Sequence, residues 1–436
     1  MQTASSPTNR TLAGLQSILL SLIPLFVAHT WFDAISVTPT AFNIIFELHG
    51  IVLKLSDFPF FVLMIVTTLR CLLDEPYRQR LRSSINALLR WRSNQAWFGL
   101  VALMFLSALW ARAPYLAVYQ AVYTLLMLVM IVVMVASQAG QARWWMITLI
   151  TGACLQGLLA VAQVINNGSV GLGWLGEPAI PYGRAFGLTY NPNTLAGYLL
   201  IASALTFAFA WINVRRSSTR VLILFAGIGI VAGLLATRSR TSVIAFVLVV
   251  GCWLFRWLWL HLSQRFTMII TPLVIVIGVF TAFAVVGRGF DTREISNRLT
   301  FAYAGSWVAY RQSPILGVGV GQVMLRVDSL ISADTLPYYD LQSDGLLQPG
   351  HNAYLNVLAE LGPIGLLLLL VGLAAPLIGL RNLNNSSWGL SVCLLAVVCA
   401  MLFEFQFWLD PHWRAILFWL IGLYWVYRLQ PEQLKT

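Results

Sequence analysis

The chain changes from a long polar stretch to an apolar one at Pro349-Gly350-His351-Asn352-Ala353-Tyr354-Leu355-Asn356-Val357-Leu358-Ala359-Glu360-Leu361-Gly362-Pro363. Its opening proline–glycine pair predicts a turn, and the residues that follow predict a short helix. Asn352, Asn356 and Glu360 recur every four residues and therefore share one face of that helix. The closing glycine–proline pair predicts a break or kink before the apolar run. We expect an amphipathic helix at a membrane surface, with His351 at its tip.

The composition indicates a membrane protein. Hydrophobic residues make up 59% of the 436 residues and charged residues only 10%, whereas a soluble domain carries roughly 25% charged residues. The length suffices for about a dozen spans of ~20 residues each. The net charge of +11 indicates positive-inside topology rather than nucleic-acid binding, and no nucleic-acid partner is expected. We therefore predict an all-α polytopic membrane protein with about 12 transmembrane helices.

The apolar runs and the basic residues together predict the topology. The apolar runs predict helices near residues 12–32, 52–73, 96–111, 115–137, 144–166, 193–213, 221–237, 241–260, 267–287, 363–380, 386–408 and 413–429. If the N-terminus is cytoplasmic, the cytoplasmic segments hold sixteen of the 27 Lys and Arg residues but only three of the 16 Asp and Glu residues. This asymmetry predicts that both termini are cytoplasmic.

The predicted spans divide the chain into three parts. Residues 1–286 contain transmembrane helices 1–9, residues 287–362 form a long extracytoplasmic loop with short helices, and residues 363–436 contain helices 10–12 with the C-terminal tail. In the loop, Asn297 is suited to cap a helix that continues to Arg311 and stops at Ser313-Pro314. The glycine-spaced run Gly317–Gly321 follows no predicted strand, so it does not indicate a nucleotide-binding loop.

Basic or titratable residues lie near several predicted helix starts on the extracytoplasmic side. They are Arg184 ahead of the sixth helix, Arg238 and Arg240 at the start of the eighth, Arg293 and Arg298 in the long loop, and His351. The neutral Asn191 and Asn193 lie beside Arg184 at the start of the sixth helix. Asn191 is suited to be an N-cap, with Pro192 at the first helical position. A cation at a helix N-terminus is unfavourable by itself. Arg240 is reasonable there if an anion binds, because helix N–H groups and an arginine together form a phosphate site.

A structural explanation of the same arginines stays open. Long basic side chains near helix ends commonly extend to lipid headgroups, with their aliphatic stems on apolar surface. They also pair with acids, and Asp291, Glu294 and Glu404 are available for this. His351 has a similar alternative, as a loop histidine that caps a helix or binds a headgroup.

Several segments together carry a family resemblance. They are, in order, Arg184 to Asn193 ahead of a helix, Thr237-Arg238-Ser239-Arg240 at a helix start, Arg298 with Trp307, Pro314-Ile315-Leu316-Gly317-Val318-Gly319, and His351-Asn352-Ala353-Tyr354-Leu355 with Glu360-Leu361-Gly362. In this order they resemble the O-antigen ligase and polymerase superfamily of bacterial envelope glycosyltransferases. The resemblance covers roughly residues 185–375 by motif and the whole chain by topology. Thr241 is a departure, because the family often has glycine after the serine–arginine pair.

The resemblance implies a glycosyltransferase C fold in the bacterial inner (plasma) membrane, with a periplasmic active site. The implied donor is a glycan on undecaprenyl pyrophosphate in the outer leaflet. Ligases transfer this glycan to the lipid A-core, and polymerases transfer it to another lipid-linked repeat. The resemblance implies no metal and no cofactor, and the remaining partners are membrane lipids.

The residue types fit this chemistry. Arg240 and Arg298, with Arg184, can stabilise the departing pyrophosphate. His351 is the candidate general base for the acceptor hydroxyl, because histidine titrates close to neutral pH. In-line displacement at the anomeric carbon would invert its configuration. We therefore predict His351, Arg240 and Arg298 as catalytic residues.

Further residues are predicted to bind substrate. They are Arg184, Arg238, Arg293, Asn191, Asn193, Asn352, Tyr354, His412 and Trp413. Trp413 can stack on a sugar, although aromatic residues at a membrane boundary are more often belt anchors. A transporter of anions or bicarbonate is the competing class. Transporters usually place charge near the midplane, often in repeated halves, whereas these charges cluster at one face.

Overall fold

The computed structural model describes residues 7–27, 35–36, 52–53, 57–137, 139–173, 183–189, 191–213, 217–285, 303, 305–323, 325, 350–381, 387–404 and 406–430. These residues form helices and connecting turns, with one antiparallel pair of two-residue strands, Ile35–Ser36 and Val52–Leu53. The predictions for Arg293, Arg298 and most of the 287–350 loop lie outside the described residues.

The helices follow one another with short connections. They are α1 (Pro7–Val27), α2 (Asp57–Leu73), α3 (Glu75–Leu89), α4 (Arg92–Ser107), α5 (Pro114–Ala136), α6 (Ala139–Ile165), α7 (Pro192–Asn213), α8 (Ser217–Ala236), α9 (Arg240–His261), α10 (Gln264–Val285), α11 (Ala353–Ile378) with the 3-10 turn Gly379–Arg381, α12 (Trp388–Ala400), α13 (Gln406–Leu409) and α14 (Pro411–Leu429). Residues 305–312 are also helical and end at Ser313, as predicted.

The apolar helices confirm a polytopic membrane protein. Within the described residues, α1, α5, α6, α7, α9 and α11 are long and apolar enough to cross a membrane. Shorter apolar helices lie in α8, α10 and α12. Each predicted apolar run overlaps a helix, and the single helix predicted near residues 386–408 is divided into α12 and α13. Helix α3 was not predicted. The number of spans, about 12, stays a prediction.

Helix α3 is amphipathic, which explains why hydropathy did not reveal it. Asp74 caps its N-terminus by accepting a hydrogen bond from the Tyr77 N–H at 3.1 Å. Tyr77, Ser84 and Leu88 are buried, and they lie on one face because they are separated by about two and three helical turns. Its arginines lie mostly on the exposed side. The segment therefore lies against the bundle rather than across a membrane.

A buried polar network joins the first three helices. The Gln16 amide donates to the Thr67 hydroxyl at 2.9 Å and to the Tyr77 hydroxyl at 2.8 Å, and its carbonyl accepts from Arg70. The Arg70 guanidinium lies 3.8 Å from the centre of the Tyr77 ring and 3.7 Å from the Asp74 carboxylate. Burial raises the pKa of the Tyr77 phenol, so this group stays neutral beside the cation.

The bundle has a buried centre and an apolar outer surface. Trp413, Trp419 and Trp425 in α14 are almost fully buried, and α14 packs against α1, α5 and α12. On α10, which packs on α9, Ile269 and Phe280 are 69% and 66% exposed. Exposed apolar side chains at this density match a hydrocarbon environment.

Helices α6 and α8 approach each other through glycines. A Cβ atom on Gly233 would collide with the Gly157 backbone, and a Cβ atom on Gly157 would collide with the Gly229 carbonyl. Small residues spaced four apart allow membrane helices to approach this closely. The contact fixes which face of α8 points away from α6.

We expect Gln16→Leu to lower the free energy of unfolding by about 1–3 kcal/mol, because it removes the hydrogen bonds that Gln16 makes with the buried Arg70, Thr67 and Tyr77 side chains. Unfolding of the purified protein in detergent measures this. Gln79→Leu is the matched control, because Gln79 is exposed on α3 and, among the described residues, its side chain donates only to Glu75 at 3.3 Å. Equal stability of the two variants would contradict a stabilising role for the network.

Candidate functional site

Three predicted arginines lie at the connection between α8 and α9, which we call the arginine corner (Arg184, Arg238 and Arg240). The Arg184 Nε donates to the Thr237 carbonyl at 2.9 Å, and its Nη2 donates to the Asn193 Oδ1 at 2.8 Å. The Ala185 N–H also donates to the Ala236 carbonyl at 3.1 Å. Arg184 is therefore held against the residues that precede Arg240.

The corner has an unusual backbone. Arg238 has φ 51°, a left-handed conformation that costs a non-glycine residue roughly 1–2 kcal/mol. It is exposed, and its N–H donates to the Leu235 carbonyl at 3.0 Å. Ser239 is the N-cap of α9, and its side chain makes no capping hydrogen bond within the described part of the chain. Strain of this kind is most often found at functional sites.

Two glutamines of α6 hold the segment that carries Arg184. The Gln163 Oε1 accepts from the N–H groups of Phe186 at 3.1 Å and Gly187 at 2.8 Å. The Gln156 Oε1 accepts from the Leu188 N–H at 2.9 Å. Neither glutamine was predicted from the sequence. Two amides seven residues apart on an apolar helix do indicate a polar contact, because buried amide groups need hydrogen-bond partners.

The start of α7 is as predicted. The Asn191 Oδ1 accepts from the Asn193 N–H at 2.8 Å, and Pro192 is the first helical residue. Asn191 is therefore the N-cap, and Asn193 links the same helix start to Arg184. Their assignment as substrate-binding residues stays a prediction.

His351 is half-buried and precedes the N-terminus of α11. The next residue, Asn352, caps this helix, because its Oδ1 accepts from the Leu355 N–H at 2.9 Å. Its Nδ2 donates to the Leu402 carbonyl at 3.0 Å, and the Ala353 N–H donates to the Met401 carbonyl at 2.9 Å. The turn that carries His351 is thus fixed to the end of α12.

Asn356 joins this turn to the 305–312 helix. Its Nδ2 donates to the Gly350 carbonyl at 2.7 Å, and its Oδ1 accepts from the Ser306 hydroxyl at 2.5 Å. The Asn356 side chain is fully buried. It therefore connects Gly350, the residue before His351, to the 305–312 helix, which follows Arg298 in the sequence.

The glycine run closes the other end of the short helix. The N–H groups of Val318 and Gly319 donate to the carbonyls of Ala359 and Glu360, each at 2.9 Å. Gly362 has φ 66° and interrupts α11, which confirms the predicted kink. The glycine run therefore donates hydrogen bonds to the end of a helix of the same chain. This is consistent with the prediction that the run is not a nucleotide-binding loop.

Glu360 lies in a second buried polar cluster. Its carboxylate accepts from the Gly321 N–H at 2.9 Å and from the Trp408 Nε1 at 2.8 Å. Arg414 donates to the Gln120 Oε1 at 2.8 Å, to Thr124 at 2.6 Å and to the Trp408 carbonyl. A cavity of about 20 Å³ lies between Glu360 and Arg414, which is enough for one water molecule.

The polar face of the His351 helix is therefore internal. Asn352, Asn356 and Glu360 are all buried, whereas sequence analysis expected an amphipathic helix at a membrane surface. The correction has a physical cause: each of these side chains has at least one partner that is distant in sequence, namely residue 402 for Asn352, 306 for Asn356, and 321 and 408 for Glu360. Glu360 and Arg414 were not predicted as site residues.

Several predictions receive no test from these contacts. Arg293 and Arg298 lie outside the described residues, and so does the side chain of His412. The Tyr354 hydroxyl donates to the Val398 carbonyl at 2.8 Å. Trp413 is buried with its ring 5.9 Å from Phe407. The substrate contacts proposed for all five residues stay predictions.

Helix α12 connects the two parts of the candidate site. It packs against α7 and α9, whose N-termini adjoin the arginine corner, and against α11, which His351 precedes. The contacts described above join Arg184 to residues 193 and 237, and join the His351 turn to residues 401, 402 and 356. The structure thus brings the described arginines together and places His351 on the neighbouring helix.

One comparison with known proteins finds a family match over part of the chain. The O-antigen ligase family model matches residues 225–370, about a third of the chain. The matched segment contains Arg238, Arg240 and His351, and it lacks Arg184 and His412. None of the curated proteins matches the chain. The match supports placing this membrane protein in the O-antigen ligase superfamily.

We expect Asn356→Ala to lower the free energy of unfolding by about 1–3 kcal/mol, because it removes a buried donor from Gly350 and a buried acceptor from Ser306. A double-mutant cycle with Ser306→Ala should show non-additivity, since the two side chains are in contact. Asn166→Ala is the matched control, because Asn166 is exposed and its side chain, within the described residues, donates only to the nearby Ser169 carbonyl. Full additivity in the cycle would contradict the brace.

Proposed function

We propose that this protein is an O-antigen ligase-type glycosyltransferase that moves a glycan from undecaprenyl pyrophosphate onto a lipid A-core acceptor. One observation carries the proposal: Arg184 is hydrogen-bonded to the α8–α9 connection, so that three arginines lie beside the N-terminus of α9. The family match spans Arg238, Arg240 and His351. It supports lipid-linked glycan substrates in general, and the donor and acceptor named here belong to the proposal.

The arginine corner is suited to a pyrophosphate. Guanidinium groups bind phosphate oxygens with two parallel hydrogen bonds, and the helix N–H groups add positive potential. Arg238, whose backbone is left-handed, and Arg240, the first residue of α9, both place a positive charge near the N-terminus of this helix. In the proposal, Arg298 completes the set, with Arg293 nearby, and the positive charge stabilises the departing pyrophosphate.

His351 acts as the general base in the proposed reaction. Its imidazole takes the proton from the acceptor hydroxyl while the hydroxyl oxygen bonds to the anomeric carbon. The bond from that carbon to the pyrophosphate oxygen breaks, and the electron pair leaves with the pyrophosphate. Attack opposite to the leaving group inverts the anomeric configuration. The proposal assigns no metal or cofactor, because the arginines supply the positive charge that the leaving group requires.

The proposed site faces the periplasm of the inner membrane, with both chain termini in the cytoplasm. The first turn of α11 contacts residues 401–402, and the end of its short helix at Ala359 and Glu360 contacts residues 317–323, which in turn contact residues 107–113. The distribution of basic residues predicts that each of these segments lies on the non-cytoplasmic side. Their contacts with one another support the predicted topology, in which successive helices cross the membrane in opposite directions. The division at residues 286 and 362 and the glycosyltransferase C architecture belong to the same proposal.

The acceptor side is proposed around His351. Asn352 and Tyr354 lie in the first turn of α11, and His412 and Trp413 lie in the first turn of α14. We assign these residues to acceptor or glycan contacts. Asn191 and Asn193 at the start of α7 are assigned to the donor side, because Asn193 is bonded to Arg184.

The test is to incubate the purified protein with lipid-linked glycan and with each acceptor separately. Transfer to lipid A-core is the expected result. Transfer only to a second lipid-linked repeat would identify a polymerase instead. Failure of transfer with both, together with anion flux in reconstituted vesicles, would reject the transferase in favour of a transporter.

Variants of His351 and Arg240 should fail in different ways. His351→Ala should lose about 10²–10⁴-fold in rate and still bind the lipid-linked donor, since the arginines hold it. Arg240→Ala should weaken donor binding by about 10- to 100-fold, which corresponds to one lost charge-assisted hydrogen bond. Single-turnover rates and equilibrium donor binding separate the two effects.

Two further variants sharpen this comparison. Arg240→Lys should recover little binding, because an ammonium group lacks the two-pronged geometry of guanidinium. Arg265→Ala is the matched control, because Arg265 is an exposed arginine in the first turn of α10. Near-normal rates for His351→Gln would show that His351 only positions the acceptor, and that the base is another residue.

A further inference from the structure

Helix α6 holds the segment around Arg184 through two buried side chains. Gln163 binds Gly187 twice, because its Oε1 accepts from the Gly187 N–H at 2.8 Å and its Nε2 donates to the Gly187 carbonyl at 3.0 Å. Gln156 accepts from the Leu188 N–H at 2.9 Å. The two glutamines lie on one face of α6, since they are about two helical turns apart. The segment that carries Arg184 is therefore fixed to this part of α6.

The packing of this segment against α6 leaves it little freedom to move. Gly187 has φ 57°, a conformation that favours glycine, and a Cβ atom there would collide with the Gln156 Oε1 atom. The Thr189 hydroxyl closes the turn by donating to the Phe186 carbonyl at 2.7 Å. The segment therefore has one position relative to the two glutamines.

The same part of α6 also holds α8. A Cβ atom on Gly157 would collide with the Gly229 carbonyl, and a Cβ atom on Gly233 would collide with the Gly157 backbone. The Gly233 carbonyl accepts from the Thr237 N–H at 3.1 Å, so this contact lies within one turn of the residue that follows α8. The position of α8, and of the arginines that come after Thr237, is thus set by α6 as well.

The arginine corner therefore consists of two parts that are both positioned by α6. Arg184 belongs to the segment bound by the glutamines, and Arg238 and Arg240 follow the helix bound through glycines. The two parts meet where the Arg184 Nε donates to the Thr237 carbonyl at 2.9 Å. A shift of the segment on α6 would move Arg184 relative to Arg240 without moving α8.

The distance between the arginines matters for an anion with two phosphate groups. The two phosphates of a pyrophosphate are joined through one oxygen atom, so two guanidinium groups can bind one phosphate each only when their separation matches. A single phosphate needs no such match, because one guanidinium group already offers two parallel hydrogen bonds. Groups that are fixed before the ligand binds also lose less conformational freedom on binding.

We propose that Gln156 and Gln163 are positioning residues that set the distance between Arg184 and Arg240, so that the arginine corner selects a pyrophosphate over a single phosphate. The inference rests on the proposed function, because that function places the donor pyrophosphate at this corner. Both glutamines act through the backbone of residues 186–188 and do not contact the ligand.

The first experiment measures equilibrium binding of polyprenyl pyrophosphate and polyprenyl monophosphate, with equal chain lengths, to the purified protein. Gln163→Leu should weaken pyrophosphate binding about tenfold, because a displaced Arg184 loses up to one charge-assisted hydrogen bond, and should leave monophosphate binding largely unchanged. Gln16→Leu is the matched control, because it is the same substitution at a buried glutamine outside the corner, and it should change neither affinity. Gln156→Leu provides a second variant if Gln163→Leu does not fold.

The second experiment is a double-mutant cycle on pyrophosphate binding. In an Arg184→Ala background, Gln163→Leu should have no further effect, since it acts through Arg184. Additive effects would mean that Gln163 only stabilises the fold and would overturn the proposal. An equal loss of pyrophosphate and monophosphate binding in Gln163→Leu would overturn it as well.

Transfer assays separate this inference from the proposed function. Gln163→Leu should raise the donor KM and leave the acceptor KM unchanged, because the contacts of the His351 turn lie on other helices. Glycan transfer with an unchanged donor KM would overturn the positioning role while the transferase function stands. Pyrophosphate selectivity that depends on Gln163, without transfer to any acceptor, would keep the positioning role and reject the transferase function.

Discussion

The short helix that follows His351 ends where two backbone segments approach so closely that only glycine fits at the point of contact in each. A Cβ atom on Gly362 would collide with the Ile315 carbonyl, and a Cβ atom on Gly317 would collide with the Glu360 backbone. Both glycines also have positive φ, 66° and 72°, which favours glycine. The close approach lets loop N–H groups satisfy the last carbonyls of the short helix without water. The same contact sets the position of the 305–312 helix, and with it the partner that Asn356 requires.

Buried polar side chains determine the loops at this end of the molecule. An amide or charge in an apolar interior is costly unless it is hydrogen-bonded, so each one must be matched by a group from another segment. Gln163 is matched by the backbone that carries Arg184. Glu360 is matched by Gly321 and Trp408. These hydrogen bonds fix the positions of connecting segments, which have too few apolar residues to be positioned by hydrophobic packing alone.

Local signals in the sequence predicted much of this arrangement. Hydropathy located the apolar helices, Asn191 and Pro192 located the start of α7, and the glycine–proline pair located the kink at Gly362. Helix α3 was missed because its apolar residues cover only one face. The direction of the Asn356 face was also missed, because its spacing is local whereas its partner, Ser306, is 50 residues away. The spacing of polar residues predicts that they share a helix face, whereas the partner of that face depends on tertiary contacts that a local pattern does not contain.

His351 precedes α11 whereas the arginine corner lies at the connection between α8 and α9, and this has a consequence for the proposed chemistry. In an inverting displacement, the base and the leaving group act on opposite faces of the sugar ring. Groups with these two roles are better supplied by different helices than by neighbouring residues of one loop. Helix α12 contacts α7, α9 and α11, so its packing sets the distance between the two sides. A scaffold of this kind can hold the proposed base and the proposed pyrophosphate site apart while each keeps its own hydrogen-bonded support.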